Sequence, residues 1–497
     1  MTASQGQVGG FGVIGGLGPR VGAELFLKIF EETVSRGNAE PLAAVIEHYP
    51  YRDANAPRAA TTERKLYIFD MIRAFERQGV TTVALPCFLS HTFIEELQEN
   101  SSLRIVDLLD ALRSHVRRLY PRACRIGVLT SDYMRRERLF ERYFTAPEFE
   151  VLHPRQPAGG DVDLVTRAVC GEEGIESGHL TGRPVELLRE ACADLMAQGA
   201  EVIVPGMTEI ALVEKQIGPI NGTLIDWHLA YAQYVAAGHF PKPSRVFKVG
   251  VVGGVGPAAT VDFLQKVVRG TPAVCDQDHI KLLVEQNPQI PDRTKHLVGD
   301  GPDPTMSLYA TCKRLETGGA GIIAIPCNTA HAFVERIQPY LNVPIVNMLT
   351  VTAAYLRGTF PELRQVGLLA TTGTIMSGVY QKALEAYGMT QVVPSNASQA
   401  RVMNAIYGPQ GVKAGCTVGE CIDDITAAAD DLMEQGVEVI ILGCTELPLL
   451  LPKSEIGAAS GRVATLVDPT DILAKRCIAY ARGEFVPEPS GPQARVA

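Results

Sequence analysis

The chain contains an internal duplication that spans most of its length. Four motifs of the N-terminal half return in the same order in the C-terminal half: FGVIGGLGP (11–19) as VGVVGGVGP (249–257), ALPCFLSHTFIEELQ (84–98) as AIPCNTAHAFVERIQ (324–338), RIGVLT (125–130) as QVGLLA (365–370), and EVIVPGMTEIALV (201–213) as EVIILGCTELPLL (438–450). The separation hardly drifts, because Gly15 and Gly253 are 238 residues apart and Cys87 and Cys327 are 240 apart. The constant separation indicates two copies of one domain fused head to tail.

The two copies set the expected domain boundaries. A Pro-containing polar segment, GHFPKPS at 238–244, separates them, and a similar segment begins the C-terminal tail. Such composition is typical of linkers and chain ends. We therefore expect one domain at 1–243, a second at 244–485 and a disordered tail at 486–497.

Within each copy, short runs rich in Val, Ile and Leu alternate with helical patterns of ordinary length. This alternation predicts an α/β fold with parallel sheets flanked by helices. In such sheets ligands bind beyond the carboxyl ends of the strands, where the repeated motifs fall. The C-terminal copy also divides into two similar lobes, whose strands end at Cys327 and Cys444. We expect a cleft between the lobes with one thiol from each side.

Each of these two cysteines follows an apolar strand and precedes a helix-start signal. The segments 321–325 and 437–442 are predicted central strands, and Asn328, Thr329 and Thr445 are typical of helix starts. A thiol beside a helix N-terminus has a lowered pKa. We therefore expect the thiolate of each cysteine to be accessible near neutral pH.

Two facing thiols fit a reaction that removes a proton from one face of a carbon and returns one to the other face. A modest pKa shift gives a thiol either protonation state, as a general acid and a general base require. Backbone N–H groups and the side chains of Asn328, Thr329 and Thr445 could stabilise the negative charge that develops. Most of the eleven cysteines are expected to be small buried apolar residues, and matched positions single out these two.

Composition excludes several other classes of function. The formal net charge is −9 and no dense Lys/Arg cluster is present, which argues against nucleic acid or an anionic membrane as a partner. No apolar run approaches the roughly 20 residues of a membrane span, and the first residues, MTASQGQVGG, lack the features of an export signal. An odd number of scattered cysteines suits a reducing compartment. We expect a cytoplasmic protein.

The chain resembles the aspartate/glutamate racemase superfamily that works without pyridoxal phosphate, and most closely its aspartate racemase branch. Five ordered motifs carry the resemblance: GGVGPAAT (253–260), NPQIPDRT (287–294), IPCNTAH (325–331), GVKAG (411–415) and GCTELPLL (443–450). It implies two tandem racemase-like domains, each of two Rossmann-like lobes, that need neither cofactor nor metal. It also implies that Cys327 and Cys444 exchange the α-proton of a small acidic amino acid.

A second anionic group on the substrate requires cations. Arg293 can hold a carboxylate through two parallel hydrogen bonds, and Lys413 can supply a point charge. The resemblance places both at the site of the side-chain carboxylate, with Gln289 nearby. Without the resemblance, the arginine is an ordinary turn residue and the lysine an ordinary residue of a helix end. Val255 lies in a Gly-rich turn that lacks dinucleotide spacing, so we expect it to line the cleft.

Two further residue patterns favour structural over functional interpretations. Cys416 and Cys421 lack a second Cys/His pair at ligand spacing, so no zinc site is expected. His331 follows Cys327 by four residues and could approach the thiol. A packed histidine is the favoured interpretation, and His91 occupies the matching position of the first copy.

The N-terminal copy departs from the pattern where chemistry would need it. Cys87 is present, but Met207 replaces the second cysteine, and a thioether cannot carry a proton. Phe88 and Leu89 replace the Asn-Thr pair. Alignment puts Asn55 opposite Arg293 and Ser177 opposite Lys413, so both candidate cations are missing. We expect a degenerate copy that serves as a scaffold and pairs with the active half within one chain. Association of several chains into a homo-oligomer is also possible. A cleft repurposed around Cys87 is the alternative.

Three functions remain open from the sequence. The favoured one is a racemase of aspartate, then glutamate, active in the C-terminal half. The second is another cysteine-dependent member of the superfamily, either a maleate-type isomerase or a decarboxylase of malonate-like acids. The third is a non-enzymatic amino-acid-binding module, which fits the N-terminal half better.

Overall fold

The computed structural model describes residues 10–15, 19–36, 44–47, 62–155, 163–218, 223–238, 246–458 and 460–485. The chain divides into two compact units, Met1–Arg245 and Val246–Ala497. Most of the expected linker, residues 239–244, and the expected disordered tail at 486–497 lie outside the described residues.

The N-terminal unit contains two parallel sheets of four strands each, with the orders β2-β1-β3-β4 and β6-β5-β7-β8. Their strands are β1 Gly10–Ile14, β2 Ala44–Glu47, β3 Val80–Ala84, β4 Arg104–Val106, β5 Arg125–Leu129, β6 Glu150–Leu152, β7 Val202–Pro205 and β8 Thr223–Leu224. The helices of this unit are α1 Pro19–Ser35, α2 Thr62–Arg77, α3 Ile94–Asn100, α4 Leu108–Leu119, α5 Asp132–Arg136, α6 Leu164–Cys170, α7 Arg183–Ala197, α8 Glu214–Ile217 and α9 Trp227–Ala237.

The C-terminal unit repeats this architecture. Its sheets have the orders β10-β9-β11-β12 and β14-β13-β15-β17-β16, and the added edge strand β16 is antiparallel to β17. The strands are β9 Lys248–Gly253, β10 Lys281–Gln286, β11 Ile322–Ala324, β12 Ile345–Val346, β13 Gln365–Leu369, β14 Thr390–Val392, β15 Val439–Leu442, β16 Glu455–Gly457 and β17 Val463–Val467.

The helices of the C-terminal unit complete the layers on its sheets. They are α10 Pro257–Gly270, α11 Arg293–Val298, α12 Thr305–Thr317, α13 Val334–Ile337, α14 Met348–Thr359, α15 Thr372–Met376, α16 Val379–Glu385, α17 Asn396–Tyr407, α18 Glu420–Glu434, α19 Leu447–Leu450 and α20 Pro469–Ala481. The predicted α/β fold of parallel sheets flanked by helices is confirmed.

The central strands form the core because both of their faces are covered. All four residues of β15 and all three of β11 are buried, as expected for parallel strands with helices on either side. Side-chain caps define several helix starts. Asn347 accepts hydrogen bonds from the backbone N–H groups that begin α14, and Asp468 does the same for α20. Among the described residues, no helix combines the length and apolar character needed to cross a membrane.

Candidate active site

One cleft in the C-terminal unit gathers eight of the nine site residues predicted from the sequence. Its lining contains Val255, Arg293, Cys327, Asn328, Thr329, Lys413, Cys444 and Thr445, together with four residues that were not predicted, Thr294, Thr371, Tyr407 and Glu446. The cleft is tight, with about 10 Å³ in which the centre of a water molecule fits. The ninth residue, Gln289, is exposed and lies outside this lining.

The two cysteines enter the cleft from the carboxyl ends of two parallel strands. Cys327 lies three residues beyond β11, and Cys444 lies two residues beyond β15. Each is only 7% exposed. A buried strand end therefore supplies one thiol from each lobe, as the sequence predicted.

Cys444 does not have the lowered pKa that the sequence predicted. The helix after it, α19, has only four residues, so its dipole is small. Burial and the adjacent carboxylate of Glu446 raise the thiol pKa well above its ordinary value, and Lys413 opposes them only in part. The Cys444 Sγ donates a hydrogen bond to Glu446 Oε2 at 3.1 Å. Cys444 is therefore held as a neutral thiol, which suits a proton donor.

Lys413 is paired with this same carboxylate. Its Nζ donates to Glu446 Oε1, and it also lies 5.5 Å from the centre of the Tyr407 ring. Burial lowers the Lys413 pKa, but attraction to the Glu446 carboxylate outweighs burial and raises it overall. The lysine charge is thus balanced by Glu446 in the described structure.

Arg293 lies beside the other thiol. Burial lowers its pKa, whereas attraction to Cys327 and Asp292 raises it and prevails. Its Nη1 donates to the carbonyl oxygens of Ile290 and Pro291 at 3.2 and 3.0 Å. The guanidinium is therefore anchored by the backbone on one side while its charge faces Cys327.

Two buried donors in the cleft lack partners among the described residues. Arg293 Nε and Asn328 Nδ2 have no hydrogen-bond acceptor there, although Arg293 is 8% exposed and Asn328 1% exposed. Asn328 is held by its other atom, since Tyr380 donates to Asn328 Oδ1 at 2.6 Å. A buried donor without a partner is costly, so these two groups indicate room for a ligand acceptor such as a carboxylate.

Buried threonine hydroxyls form a network at the base of the cleft. Thr329 Oγ1 lies 2.7 Å from Thr374 Oγ1 and 3.4 Å from Thr371 Oγ1, and Thr294 Oγ1 lies 3.1 Å from Thr371 Oγ1. Hydroxyls can reverse donor and acceptor roles, so this network can adapt to a charged ligand. It also ties β11 and β13 of the two lobes together.

The Gly-rich turn between β9 and α10 closes the cleft over Glu446. Gly256 has a φ of +116°, and a Cβ there would lie 2.5 Å from Glu446 Oε1. Pro257 begins α10. The turn thus contacts a side-chain carboxylate, and Val255 lines the cleft beside it.

Glu446 is the functional candidate that sequence reasoning missed. The motif GCTE places a carboxylate two residues after the second cysteine, but the motif alone assigns that carboxylate no role. The signal that could have identified it is spacing, because a turn after a strand can bring residues i and i+2 to the same side.

The N-terminal unit has a corresponding cavity with different charges. It lies at the ends of β3 and β7 and is lined by Arg64, Cys87, Phe88, Leu89, Ser131, Met134, Glu176, Met207, Thr208 and Glu209. Arg64, which comes from α2, supplies a cation to this cavity from a position that matches neither Arg293 nor Lys413. Asn55, aligned with Arg293, lies outside the described residues.

The residue opposite Lys413 is also corrected by the structure. In GEEGIESG (171–178) and GPQGVKAG (408–415) the turns match bond for bond: Gly174 N–H donates to Gly171 and Gly411 N–H to Gly408, both at 2.9 Å. Gly178 and Gly415 have φ of +95° and +93°. This match places Glu176, one residue before Ser177, opposite Lys413, so a lysine in one copy is a glutamate in the other.

Comparisons with known proteins agree with the duplication. The family model Asp/Glu/Hydantoin racemase matches twice, at residues 14–235 and 252–477. The broad specificity amino-acid racemase RacX of Bacillus subtilis is 27% identical over 241 residues, 46% of this chain and 96% of RacX. A glutamate racemase of Corynebacterium kroppenstedtii is 31% identical over 179 residues, 33% of this chain and 58% of that enzyme. The structure of Picrophilus torridus aspartate racemase covers 48% of this chain and 94% of its own at 29% identity, with a TM-score of 0.41.

Proposed function

Because the chain belongs to the Asp/Glu/Hydantoin racemase family and is a racemase, we propose that its C-terminal unit interconverts L- and D-aspartate by a two-thiol mechanism that needs no cofactor. Glutamate is the second candidate substrate. The observation that carries the proposal is the shared cleft, in which Cys327 and Cys444 lie among buried donors that have no partner in the described residues.

The different surroundings of the two thiols support opposite roles for them. In one direction the Cα–H bond breaks, its proton passes to Cys327 Sγ and its electron pair spreads into the α-carboxylate. Cys444 then gives its S–H proton to the opposite face, and the Cys444 thiolate that remains is attracted by the nearby Lys413. The reverse reaction restores both protons. The raised pKa of Cys444 and the Arg293 charge beside Cys327 favour this starting state.

The donors of the cleft support a dicarboxylate substrate. Arg293 Nε and Asn328 Nδ2 can receive carboxylate oxygens, and such charge-assisted bonds are about twice as strong as neutral ones. The GCTELP motif, which resembles that of the aspartate racemase branch, supports the shorter substrate, aspartate. One methylene is worth only about 1 to 3 kcal/mol of discrimination, so glutamate is expected to react more slowly rather than to be excluded.

Two single substitutions test the mechanism. We expect Cys327→Ser and Cys444→Ser each to abolish the interconversion of L- and D-aspartate, measured by circular dichroism. A hydroxyl does not ionise near neutral pH, so either variant lacks one proton carrier. In heavy water the native chain should place deuterium at Cα of both enantiomers, followed by mass spectrometry. The matched control is Cys312→Ser, a buried cysteine outside the cleft, which should keep activity.

The same variants separate this proposal from other reactions of the superfamily. A decarboxylase needs only one proton-donating thiol, so activity retained without either cysteine would contradict racemisation by two thiols. Stoichiometric binding of aspartate without exchange at Cα by the native chain would contradict catalysis and indicate a binding module.

The duplication supports a further part of the proposal, that the two halves act as a pair within one chain. We expect sedimentation equilibrium to give a mass near 53.6 kDa, that of one chain. Twice that mass would indicate a homodimer instead.

All eleven cysteines are free, which supports a reducing, cytoplasmic location.

A further inference from the structure

The N-terminal cavity is built like a ligand site rather than a collapsed remnant. It has about 80 Å³ in which the centre of a water molecule fits, against about 10 Å³ in the C-terminal cleft. It occupies the same strand ends and contains a guanidinium, a thiol, two carboxylates and two hydroxyls. A vestigial cleft that served only as scaffold would be expected to fill with apolar side chains.

The charges of this cavity are redistributed relative to the C-terminal cleft. The C-terminal lining holds two cations, Arg293 and Lys413, and one carboxylate, Glu446. The N-terminal lining holds one cation, Arg64, and two carboxylates, Glu176 and Glu209. The change lies mainly at one position, because Glu176 occupies the place of Lys413 whereas Glu209 corresponds to Glu446.

The buried cation of the N-terminal cavity, Arg64, comes from a different helix than Arg293 does in the C-terminal cleft. Arg64 is only 8% exposed and lies in the first turn of α2, whereas Arg293 begins α11. A buried guanidinium in a cavity can bind a carboxylate through two parallel hydrogen bonds. Arg64 can therefore bind the α-carboxylate of an amino acid.

Glu176 and Glu209, the two carboxylates of this cavity, repel each other. Burial and the charge of Glu176 raise the pKa of Glu209 to about 7, against the opposing effects of Thr208 and Arg64. A ligand cation between the two carboxylates would relieve this repulsion. Apolar contacts from Phe88, Leu89 and Met134 are available for the methylene groups of a ligand side chain.

We propose that the N-terminal unit carries a second ligand site that binds a basic amino acid, with its α-carboxylate on Arg64 and its cationic side chain between Glu176 and Glu209. The ligand is bound without racemisation, because Cys87 faces the thioether of Met207 rather than a second thiol. This site does not depend on the reaction proposed for the C-terminal unit.

Isothermal titration calorimetry on the full chain tests the proposal, with L-lysine, L-norleucine and L-aspartate as probes. Norleucine has the carbon chain of lysine without the side-chain ammonium. We expect saturable binding of lysine at one site per chain. Norleucine should bind about tenfold or more weakly than lysine, because it cannot make the charge-assisted hydrogen bond of the ammonium group. The same lysine affinity is expected in Cys327→Ser, Cys444→Ser chains, where the aspartate reaction is blocked. Absence of lysine binding, or equal affinity for norleucine, would overturn the proposal.

Two substitutions locate the bound ligand. Glu176→Gln and Arg64→Gln should each weaken lysine binding by about tenfold or more. Glu176 is exposed, so its variant is expected to fold, and Glu172→Gln in the same turn segment is the matched control. Lysine affinity unchanged in Glu176→Gln would place the ligand elsewhere and contradict the assignment, even if Arg64→Gln fails to fold.

Two independent readouts follow from the same geometry. Lysine should slow alkylation of Cys87 by iodoacetamide, measured by peptide mass spectrometry, while the exposed Cys124 and Cys275 react unchanged. Lysine should also bind more tightly about one pH unit above 7 than one unit below, because Glu209 must ionise to face the cation beside Glu176, Arg64 and Cys87. Unprotected Cys87 or the opposite pH trend would contradict the site.

Discussion

At the scale of single residues, Glu446 determines how the two thiols of the C-terminal cleft differ. Its carboxylate accepts from Cys444 Sγ with one oxygen and from Lys413 with the other. The side chain is only 4% exposed, so its charge is weakly screened. Cys444 is thus held as a neutral thiol, the state that the acid of the reaction requires.

Glu446→Gln should shift the pH dependence of racemisation. The Glu446 carboxylate raises the pKa of Cys444, so removing its charge lowers that pKa toward the ordinary thiol value. In the direction that uses Cys444 as the acid, the basic limb of the kcat profile should therefore move to lower pH. In the reverse direction, where Cys444 is the base, the acidic limb should move the same way. Glu455→Gln, an exposed site of the same unit, should change neither limb, and an unshifted Glu446→Gln profile would exclude this role.

At the scale of elements, two structural features hold the cysteine-bearing segments in place: a buried histidine and a glycine turn. His331 is buried, its Nδ1 lies 2.9 Å from the Cys327 carbonyl oxygen, and its Nε2 accepts from the Met348 N–H that begins α14. His91 makes the same pair of contacts in the N-terminal unit. Burial lowers the pKa of His331, so the ring is neutral and bridges a strand end to a helix start. The histidine is a packed structural residue, as predicted.

The Gly256 turn is the second structural feature, and Gly256→Ala tests its close contact with Glu446. The added Cβ would meet the Glu446 carboxylate at 2.5 Å in a backbone conformation that favours glycine. We expect a loss of about 1 to 3 kcal/mol in the free energy of unfolding and a lower kcat, because Glu446 must move. Gly358→Ala in α14, where a Cβ meets no atom within 4 Å, is the control and should be neutral or stabilising. Equal behaviour of the two variants in denaturation and rate measurements would contradict the contact.

Sequence periodicity predicted the elements better than the contacts between them. Strand ends and the two cysteines follow from local patterns, and one cleft contains eight of the nine predicted site residues. Gln289 is exposed and lies outside it, in a loop whose course depends on tertiary packing. Arg64 was missed because it reaches the cavity from another helix. Glu176 is matched to Lys413 only when the glycines of the two turns, each 237 residues apart, are aligned.

At the scale of the whole molecule, the duplication has produced two units with one architecture and different electrostatics. The match of β orders and of the histidine bridges shows that the backbone framework has been kept. The cleft residues have changed together, with a thiol lost at Met207, a lysine replaced at Glu176 and an arginine gained at Arg64. Loss of the thiol removes racemisation by two thiols, whereas the other two changes redistribute the charges of the cavity.

Restoring a second thiol to the N-terminal unit distinguishes a cleft that has only lost its activity from a cleft whose ligand specificity has changed. In a chain inactivated by Cys444→Ser, Met207→Cys would face Cys87 with a second thiol at the equivalent strand end. If the thiol alone were missing, aspartate racemisation should return. We expect none, because Glu176 and Glu209 repel the side-chain carboxylate that Arg293 is proposed to attract in the C-terminal cleft. Circular dichroism with aspartate measures this, and Glu176→Lys added to the same chain should raise any activity by lowering that repulsion. Aspartate racemisation by the Met207→Cys chain at the native rate would show that the two clefts still share one specificity.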